Sequence, residues 1–254
     1  MMTLCPRRSA AFLLSFLLGL VLLSPSEARA DDALLKKIDT EINKWKTLDY
    51  SYKIVTTTKG NDDKAVLKFR MRMKYTGEHN TQIIEISEPS DMKGSKVLTK
   101  SPTEMYIFLP AMRKVRRIAS HVTEAGFLGT ALSQKDMTLT RYGKYYSAKK
   151  KGEKDGRITL TLTAKGDEAP YPKIEMTVAE KQLLPTVIEY FNDEGKLIKR
   201  EKRSQYRCAK GYCTPGAQKV EDLTTGKTTV LYLKDYTVNP KLDDAIFSKR
   251  FLLK

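Results

Sequence analysis

Apolar and basic side chains alternate at every position between residues 67 and 75. The apolar residues are Leu67, Phe69, Met71, Met73 and Tyr75. The residues between them are Lys68, Arg70, Arg72 and Lys74. Because successive side chains of a β-strand point to opposite faces of its sheet, this segment predicts a strand with one apolar and one basic face. The apolar face must then be covered by another part of the chain.

Eleven further segments have the composition of short strands, and turn residues separate several of them, as at 192–195 and 224–227. The segments are 50–59, 81–87, 96–100, 105–109, 114–119, 158–164, 173–179, 186–191, 197–206, 218–222 and 228–233. So many short strands fold most simply as a large curved antiparallel sheet. A closed outer-membrane barrel is the alternative, but the many charges on such short segments disfavour it.

A helix is predicted ahead of the strands, over residues 32–48, with Asp32 as its N-cap. Its apolar residues recur at helical spacing and form one stripe. They are Leu34, Leu35, Ile38, Ile42, Trp45 and Leu48. A helix with one apolar face must pack against another element. The predicted fold class is therefore mainly β (α+β).

The first 30 residues have the three parts of a secretory signal peptide. Two arginines precede an uncharged apolar run over 10–23, and a small-residue cleavage pattern follows at 28–30. An uncleaved anchor is the alternative, but a spanning helix needs about 20 apolar residues, more than this run provides. The acylated cysteine of a lipoprotein follows the apolar run of its signal peptide. Cys5 precedes the run, so it does not occupy that position. We expect cleavage after residue 30, a periplasmic location and a single domain over 31–254.

The positive charge belongs to the mature part of the chain. The whole sequence has a net charge of +16, and the part after residue 30 keeps 43 basic and 29 acidic residues, a net charge of +14. Such a surplus would suggest nucleic acid in a cytoplasmic protein. Outside the inner membrane the available anions are lipid headgroups, lipopolysaccharide and acidic protein surfaces. A simpler alternative is that lysine and arginine keep exposed strand edges soluble.

Two cysteines, Cys208 and Cys213, remain in the mature chain. An even number of cysteines in an oxidising compartment predicts a disulfide, here across a hairpin that contains Gly211. Closing so short a loop stabilises a fold by roughly 2 kcal/mol in the chain-entropy model. A metal or redox pair is the alternative, but the spacing is not C-x-x-C and no histidine is near in sequence.

The sequence has no recognisable catalytic motif. Its two histidines, His79 and His121, are isolated, and no nucleophile elbow or phosphate-binding glycine loop accompanies them. His79 lies in a sequence typical of a turn. We therefore expect no enzymatic activity, no cofactor and no metal site.

One block of sequence stands out between residues 105 and 136. An apolar aromatic strand ends at Leu109-Pro110, and a strand with four basic residues, 113–118, follows the turn. A glycine-flanked apolar loop, 126–130, then leads to Asp136. The block closely resembles the outer-membrane lipoprotein-sorting protein family, the LolA-like group often associated with RND or MMPL-type transporters.

Weaker landmarks extend the resemblance over nearly the whole mature chain. They are Pro89, Lys93-Gly94-Ser95, Leu184-Pro185-Thr186, Tyr190-Phe191, Gly195-Lys196-Leu197, Lys199 and the closing segment 242–247. The cysteine hairpin departs from the family's pattern.

The resemblance implies a strongly curved, incompletely closed antiparallel half-barrel, with an N-terminal helix and short helices covering a hydrophobic cavity. The side chains expected at this cavity are Trp45, Phe69, Met71, Met73, Tyr106, Phe108 and Phe127. From their pattern alone, the same residues would equally fill an ordinary core.

The resemblance also implies a function. We expect a periplasmic carrier or chaperone that shields the acyl chains of a lipoprotein or other lipid, with no nucleic-acid partner. Docking to an anionic membrane or to an RND/MMPL-type transporter is assigned to Arg113, Lys114, Arg116 and Arg117. The alternatives are a transporter accessory protein that carries no lipid and an RseB-like envelope sensor.

Overall fold

The computed structural model describes residues 25–254 apart from 78, 102 and 119–125. Most of the predicted signal peptide lies outside the described residues, as do Cys5 and His121. No helix among the described residues is long and apolar enough to cross a membrane.

The chain folds into fifteen described strands and four α-helices. The strands are β1 (Thr47–Thr58), β2 (Asn61–Tyr75), β3 (Asn80–Glu88), β4 (Lys96–Ser101), β5 (Glu104–Leu109), β6 (Lys114–Ile118), β7 (Tyr146–Lys154), β8 (Arg157–Ala164), β9 (Lys173–Ala179), β10 (Leu184–Phe191), β11 (Leu197–Ser204), β12 (Arg207–Ala209), β13 (Tyr212–Thr214), β14 (Ala217–Asp222) and β15 (Lys227–Val238). The helices are α1 (Pro25–Ile42), α2 (Gln134–Thr138), α3 (Tyr142–Tyr145) and α4 (Lys249–Leu252).

Thirteen of these strands form one antiparallel sheet in the order β6-β5-β4-β3-β2-β1-β15-β14-β11-β10-β9-β8-β7. The edge strands β6 and β7 do not pair with each other, so the curved sheet is not closed. The prediction of an incompletely closed antiparallel sheet with a leading helix is confirmed. The remaining strands, β12 and β13, form a separate hairpin that the predicted Cys208–Cys213 disulfide joins.

The predicted alternation sets the two faces of the sheet. Met71 lies opposite Tyr50, and Met73 lies opposite Leu48. We call the face that carries these side chains the inner face, and the face that carries Arg70 and the other basic residues of β2 the outer face. In β1 and β2 the inner positions are mostly buried, as the pattern predicts.

Two sets of elements cover the inner face. Helices α1 and α3 pack on strands β7 to β10, where Leu35 and Ile38 join a core that includes Leu160 and Ile174. The segment 126–139, which contains α2, covers the inner face of strands β2 to β4. Between these two covers the inner face of β1, β2 and β15 is left partly open, and this gap is the cavity described below.

The C-terminal segment packs on the outer face instead. Ile246, Phe247 and Leu252 are buried against Ile83 and Leu98 of strands β3 and β4. The apolar outer-face positions at this end of the sheet are therefore covered, and the sheet there is buried on both faces.

The N-terminal helix differs from its prediction at both ends. It begins at Pro25 and ends at Ile42, so Trp45 and Leu48 lie beyond it. Those two residues continue the helical spacing, but Leu48 also fits the two-residue period of β1, and pairing with β2 and β15 decides its structure. Asp32 is not an N-cap; its carboxylate accepts a hydrogen bond from the Ala148 amide (2.7 Å).

Strand β7 was not predicted, because five of its nine residues are lysine or glycine. Residues of that kind disfavour a strand on propensity alone. At the edge of a sheet they are common, since charged side chains protect an exposed strand from pairing with other chains.

Candidate functional site

The candidate site is a cavity of about 190 Å³ between the inner face of the sheet and its two covers. Strands β1, β2 and β15 supply its apolar wall, because their alternation turns every second side chain inward. That wall includes Leu48, Tyr52, Phe69, Met71, Met73 and Leu231. Trp45, which lies between α1 and β1, also lines the cavity.

The glycine-flanked loop closes the cavity from the side of β2 to β4. Phe127, Leu132 and Met137 line the cavity from this loop and from α2. The loop turns tightly, since a Cβ on Gly126 would lie 2.2 Å from the Thr130 carbonyl oxygen. The Ala131 amide donates to the Thr229 hydroxyl on β15 (2.8 Å), which fixes the loop to the sheet.

The disulfide-bonded hairpin closes another side. Tyr212 and Cys213 of β13 line the cavity, and the Tyr212 and Tyr50 hydroxyls lie 2.9 Å apart within hydrogen-bond distance. Burial raises the pKa of both phenols, so both stay protonated at neutral pH. The disulfide therefore holds a hairpin that contributes directly to the cavity wall.

Strand β11 contributes a polar patch to the wall. Glu201 and Arg203 point inward from this strand and form an ion pair, and the Tyr190 hydroxyl donates to Glu201 (3.0 Å). Burial alone would lower the pKa of the Arg203 guanidinium, but Glu201 beside it outweighs burial and raises that pKa well above its usual value. The Arg203 guanidinium is therefore charged, and Glu201 is its ion-pair partner.

A second buried ion pair lies behind the covering segment. Asp136 and Lys199 are paired at 2.5 Å, with side chains only 2% and 8% exposed. Asp136 also accepts hydrogen bonds from the Tyr171 hydroxyl (2.5 Å) and, as part of a capping box at the start of α2, from the Ser133 amide (2.7 Å). The aspartate of the conspicuous sequence block therefore connects the covering segment to strand β11.

The structure brings together five of the seven side chains predicted for the cavity. They are Trp45, Phe69, Met71, Met73 and Phe127. Tyr106 and Phe108 do not line it, and the prediction for these two was wrong. In β5 the inner positions are Met105 and Ile107, so the aromatic side chains point outward and pack near the C-terminal segment.

The four basic residues predicted to dock lie at the edge of the sheet and are all exposed. Because successive side chains of a strand point to opposite faces of the sheet, the four residues do not share one face. Lys114 and Arg116 share the inner-face register of Ile107, whereas Arg117 is on the outer face. Arg113 occupies the turn before β6 in a left-handed conformation (φ 48°). They form a basic rim rather than a patch on one face.

Sequence reasoning missed the polar wall of the cavity. In β11, charged residues occupy consecutive positions from Lys199 to Arg203, so no alternation distinguishes inner from outer side chains. Only the pairing of Glu201 with Val220 and of Arg203 with Gln218 reveals that these residues face inward. Tyr206 ends the predicted strand 197–206 but lies beyond β11, and Tyr212 belongs to a three-residue strand that was not predicted.

A family model and several solved structures match this chain. A family model whose description reads "Uncharacterized protein" matches residues 78–254, which is more than half of the chain. A DUF1329 family protein from Desulfovibrio piger superposes with a TM-score of 0.81 at 23% identity, over 89% of this chain and 99% of its own. A putative outer membrane lipoprotein-sorting protein domain from Vibrio parahaemolyticus gives 0.80 at 19% identity, over 89% of this chain and 100% of its own. The chain belongs to the family that this model describes, and its fold is LolA-like.

A third solved structure agrees with this assignment. A LolA superfamily protein from Nitrosomonas europaea superposes on this LolA-like chain with a TM-score of 0.70 at 20% identity, over 87% of this chain and 98% of its own. At these identities the likeness shows the fold alone. No curated protein matches the sequence. Within the described residues, no cluster of histidine, cysteine and carboxylate side chains could hold a metal ion.

Proposed function

We propose that this LolA-like protein is a periplasmic carrier that shields acyl chains of a lipoprotein or other lipid in the cavity during transfer towards the outer membrane. The observation that carries the proposal is the apolar cavity between the sheet and its covers, lined by Trp45, Met71 and Met73. Concave, mostly apolar cavities with a few polar groups are typical ligand sites.

The energetics favour holding an acyl chain by burial. A sixteen-carbon chain gains on the order of 12 kcal/mol before the costs of binding, at about 0.8 kcal/mol per CH₂. The cavity of about 190 Å³ is close in size to cavities of about 150 Å³ that bind benzene, so a long chain must widen it. Met71, Met73 and Met137 make such widening feasible, because methionine is unbranched and adapts its shape.

The proposed processing fits the position of helix α1. Cleavage after residue 30 would remove the first turns of the helix and leave Asp31 and Asp32 at the new N-terminus. Their carboxylates accept hydrogen bonds from the amides of Lys150 (2.8 Å) and Ala148 (2.7 Å) on β7. The remaining helix would therefore stay attached to the sheet at its start.

We assign docking to the basic rim formed by Arg113, Lys114, Arg116 and Arg117. On the outer face of β2 the four basic residues from Lys68 to Lys74 are each paired with a carboxylate: the pairs are Lys68–Glu88, Arg70–Asp49, Arg72–Glu85 and Lys74–Asp244. No carboxylate of the described chain pairs with the rim, where Arg117 donates only to the Thr103 carbonyl (3.3 Å). The rim therefore presents charge that an anionic membrane or a transporter partner can use.

Filling the cavity tests the carrier function. Leu231→Trp places a larger side chain in the wall, and we expect it to weaken binding of 1-monolauroylglycerol at least about tenfold, the equivalent of excluding roughly two CH₂ groups. Isothermal titration calorimetry measures the change. Leu223→Trp is the matched control, since Leu223 is 51% exposed and lies outside the cavity. Equal affinities of the two variants would contradict the assignment of the cavity.

Neutralising the rim tests docking. Replacing its four basic residues by glutamine is expected to weaken sedimentation with phosphatidylglycerol vesicles at least about tenfold, since each basic residue near an anionic surface contributes about 1 kcal/mol. The control removes four exposed lysines from the other edge strand: Lys149, Lys150, Lys151 and Lys154. An equal loss in both variants would mean that net charge alone drives binding, and no loss would remove the docking assignment.

The alternative function is that of a transporter accessory protein. Such a protein would form a stable complex with the transporter while its cavity contains no lipid.

A further inference from the structure

The cavity wall contains an ion pair whose charges cancel. Glu201 and Arg203 have side chains 4% and 18% exposed, and both line the cavity. Asp136 also contributes to the lining, but its partner Lys199 does not. The charged side chains that line the cavity are thus two carboxylates and one guanidinium, and no uncompensated positive charge faces a ligand.

Arg203 nevertheless keeps donor capacity. A guanidinium has five N–H groups. Within the described chain its hydrogen-bond partners are Glu201 and the Tyr206 hydroxyl, and that hydroxyl itself donates to the Pro185 carbonyl (2.5 Å). Donors therefore remain for an acceptor atom inside the cavity.

The kind of acceptor follows from these charges. A carboxylate near Arg203 would also lie near Glu201, and like charges in a site of low polarity repel strongly. A neutral carbonyl oxygen accepts the same N–H bond without that repulsion, and a buried donor without a partner is costly. The wall therefore suits an uncharged acceptor at one end of an apolar chain.

Resting on the proposed carrier function, we propose that the cavity selects acyl chains attached through a neutral ester or amide carbonyl and discriminates against free fatty acids. Arg203 donates to the carbonyl oxygen, and Glu201 repels a carboxylate. The acyl chain packs against Trp45, Met71 and Met73.

Trp45 provides the readout, because it is the single tryptophan of the sequence and lines the cavity. Its fluorescence is titrated with 1-monolauroylglycerol, N-lauroylethanolamine and laurate at pH 8, where the carboxylate is ionised. We expect the ester or the amide to bind at least about tenfold more tightly than laurate. The tighter of the two identifies the linkage that the site accepts.

Two variants test the roles of the pair. Glu201→Gln keeps an acceptor for Tyr190 and leaves the charge of Arg203 uncompensated, so laurate should bind at least about tenfold more tightly than to the wild type. Arg203→Gln should weaken ester binding. Glu189→Gln is the matched control, because Glu189 pairs with Arg200 on the outer face of the adjoining strands β10 and β11; its ligand preference should equal that of the wild type.

The outcomes separate the two proposals. Laurate binding as tightly as the ester to the wild type, or a Glu201→Gln variant with unchanged preference, would overturn the selectivity while leaving the carrier function intact. Failure of all three ligands to bind the wild-type protein would overturn the carrier function and the selectivity together.

Discussion

Replacing Asp136 by asparagine is expected to lower the free energy of unfolding by about 3–5 kcal/mol, because it leaves the buried ammonium of Lys199 without its counter-charge. The capping box at the start of α2 is also weakened. Urea denaturation followed by Trp45 fluorescence measures the loss. The effect is large because both side chains of the pair are buried, and the two connect the covering segment to strand β11.

Asp49→Asn is the matched control for this substitution. Asp49 pairs with Arg70 on the outer face, where the arginine side chain is 56% exposed, and losing such a pair costs about 1 kcal/mol or less. Removing both charges, with Asp136→Asn and Lys199→Met together, should recover part of the stability. If the Asp136 and Asp49 variants were equally stable, the buried pair would not hold the cover in place.

The double variant Met71→Lys and Met73→Lys is expected to lose almost all bound lipid. Both side chains point into the cavity, so two ammonium groups would enter the space that an apolar chain needs and would draw water into it. Mass spectrometry of lipid extracted from the purified variant measures the loss.

Met112→Lys is the control for this pair of substitutions, since Met112 is 48% exposed and lies in the turn before β6. Circular dichroism establishes that the double variant is folded. Because Met73 is itself buried, the uncharged Leu231→Trp variant provides a second obstruction of the same cavity. Full retention of lipid in the double variant would show that lipid binds elsewhere.

Alternation explains why so much of the sheet could be predicted from sequence. In β2 the apolar and basic positions are separated at every residue, and the structure buries the apolar face. The strand predicted at 173–179 has the bounds of β9. Half-buried strands leave this signature because one face meets the core and the other meets water.

The signature fails where charge lies on both faces or where two periods coincide. Glu201 and Arg203 are inward charges in a strand that is charged throughout, so their place in the cavity depends on pairing with β14. Leu48 fits both a helical and a strand period. For this reason the helix was predicted to continue to residue 48, whereas α1 ends at Ile42. In β5 the aromatic residues Tyr106 and Phe108 were expected inside, but the C-terminal segment covers them on the outer face.

The apolar character of β5 therefore did not reveal which of its faces meets the cavity. Apolar residues on either face of a strand can be buried when both faces are covered, and long-range contacts decide which face holds a ligand. The C-terminal segment is more than 130 residues from Phe108 in sequence, and its position could not be inferred from the local pattern.

Native mass spectrometry of the mature protein purified from the periplasm, combined with lipid extraction, tests the central claim most directly. We expect a reproducible bound acylated species on the wild-type protein and on Met112→Lys, and its loss from the Met71→Lys and Met73→Lys double variant. A wild-type protein that is empty as purified and stays empty after incubation with envelope lipids would contradict the carrier function.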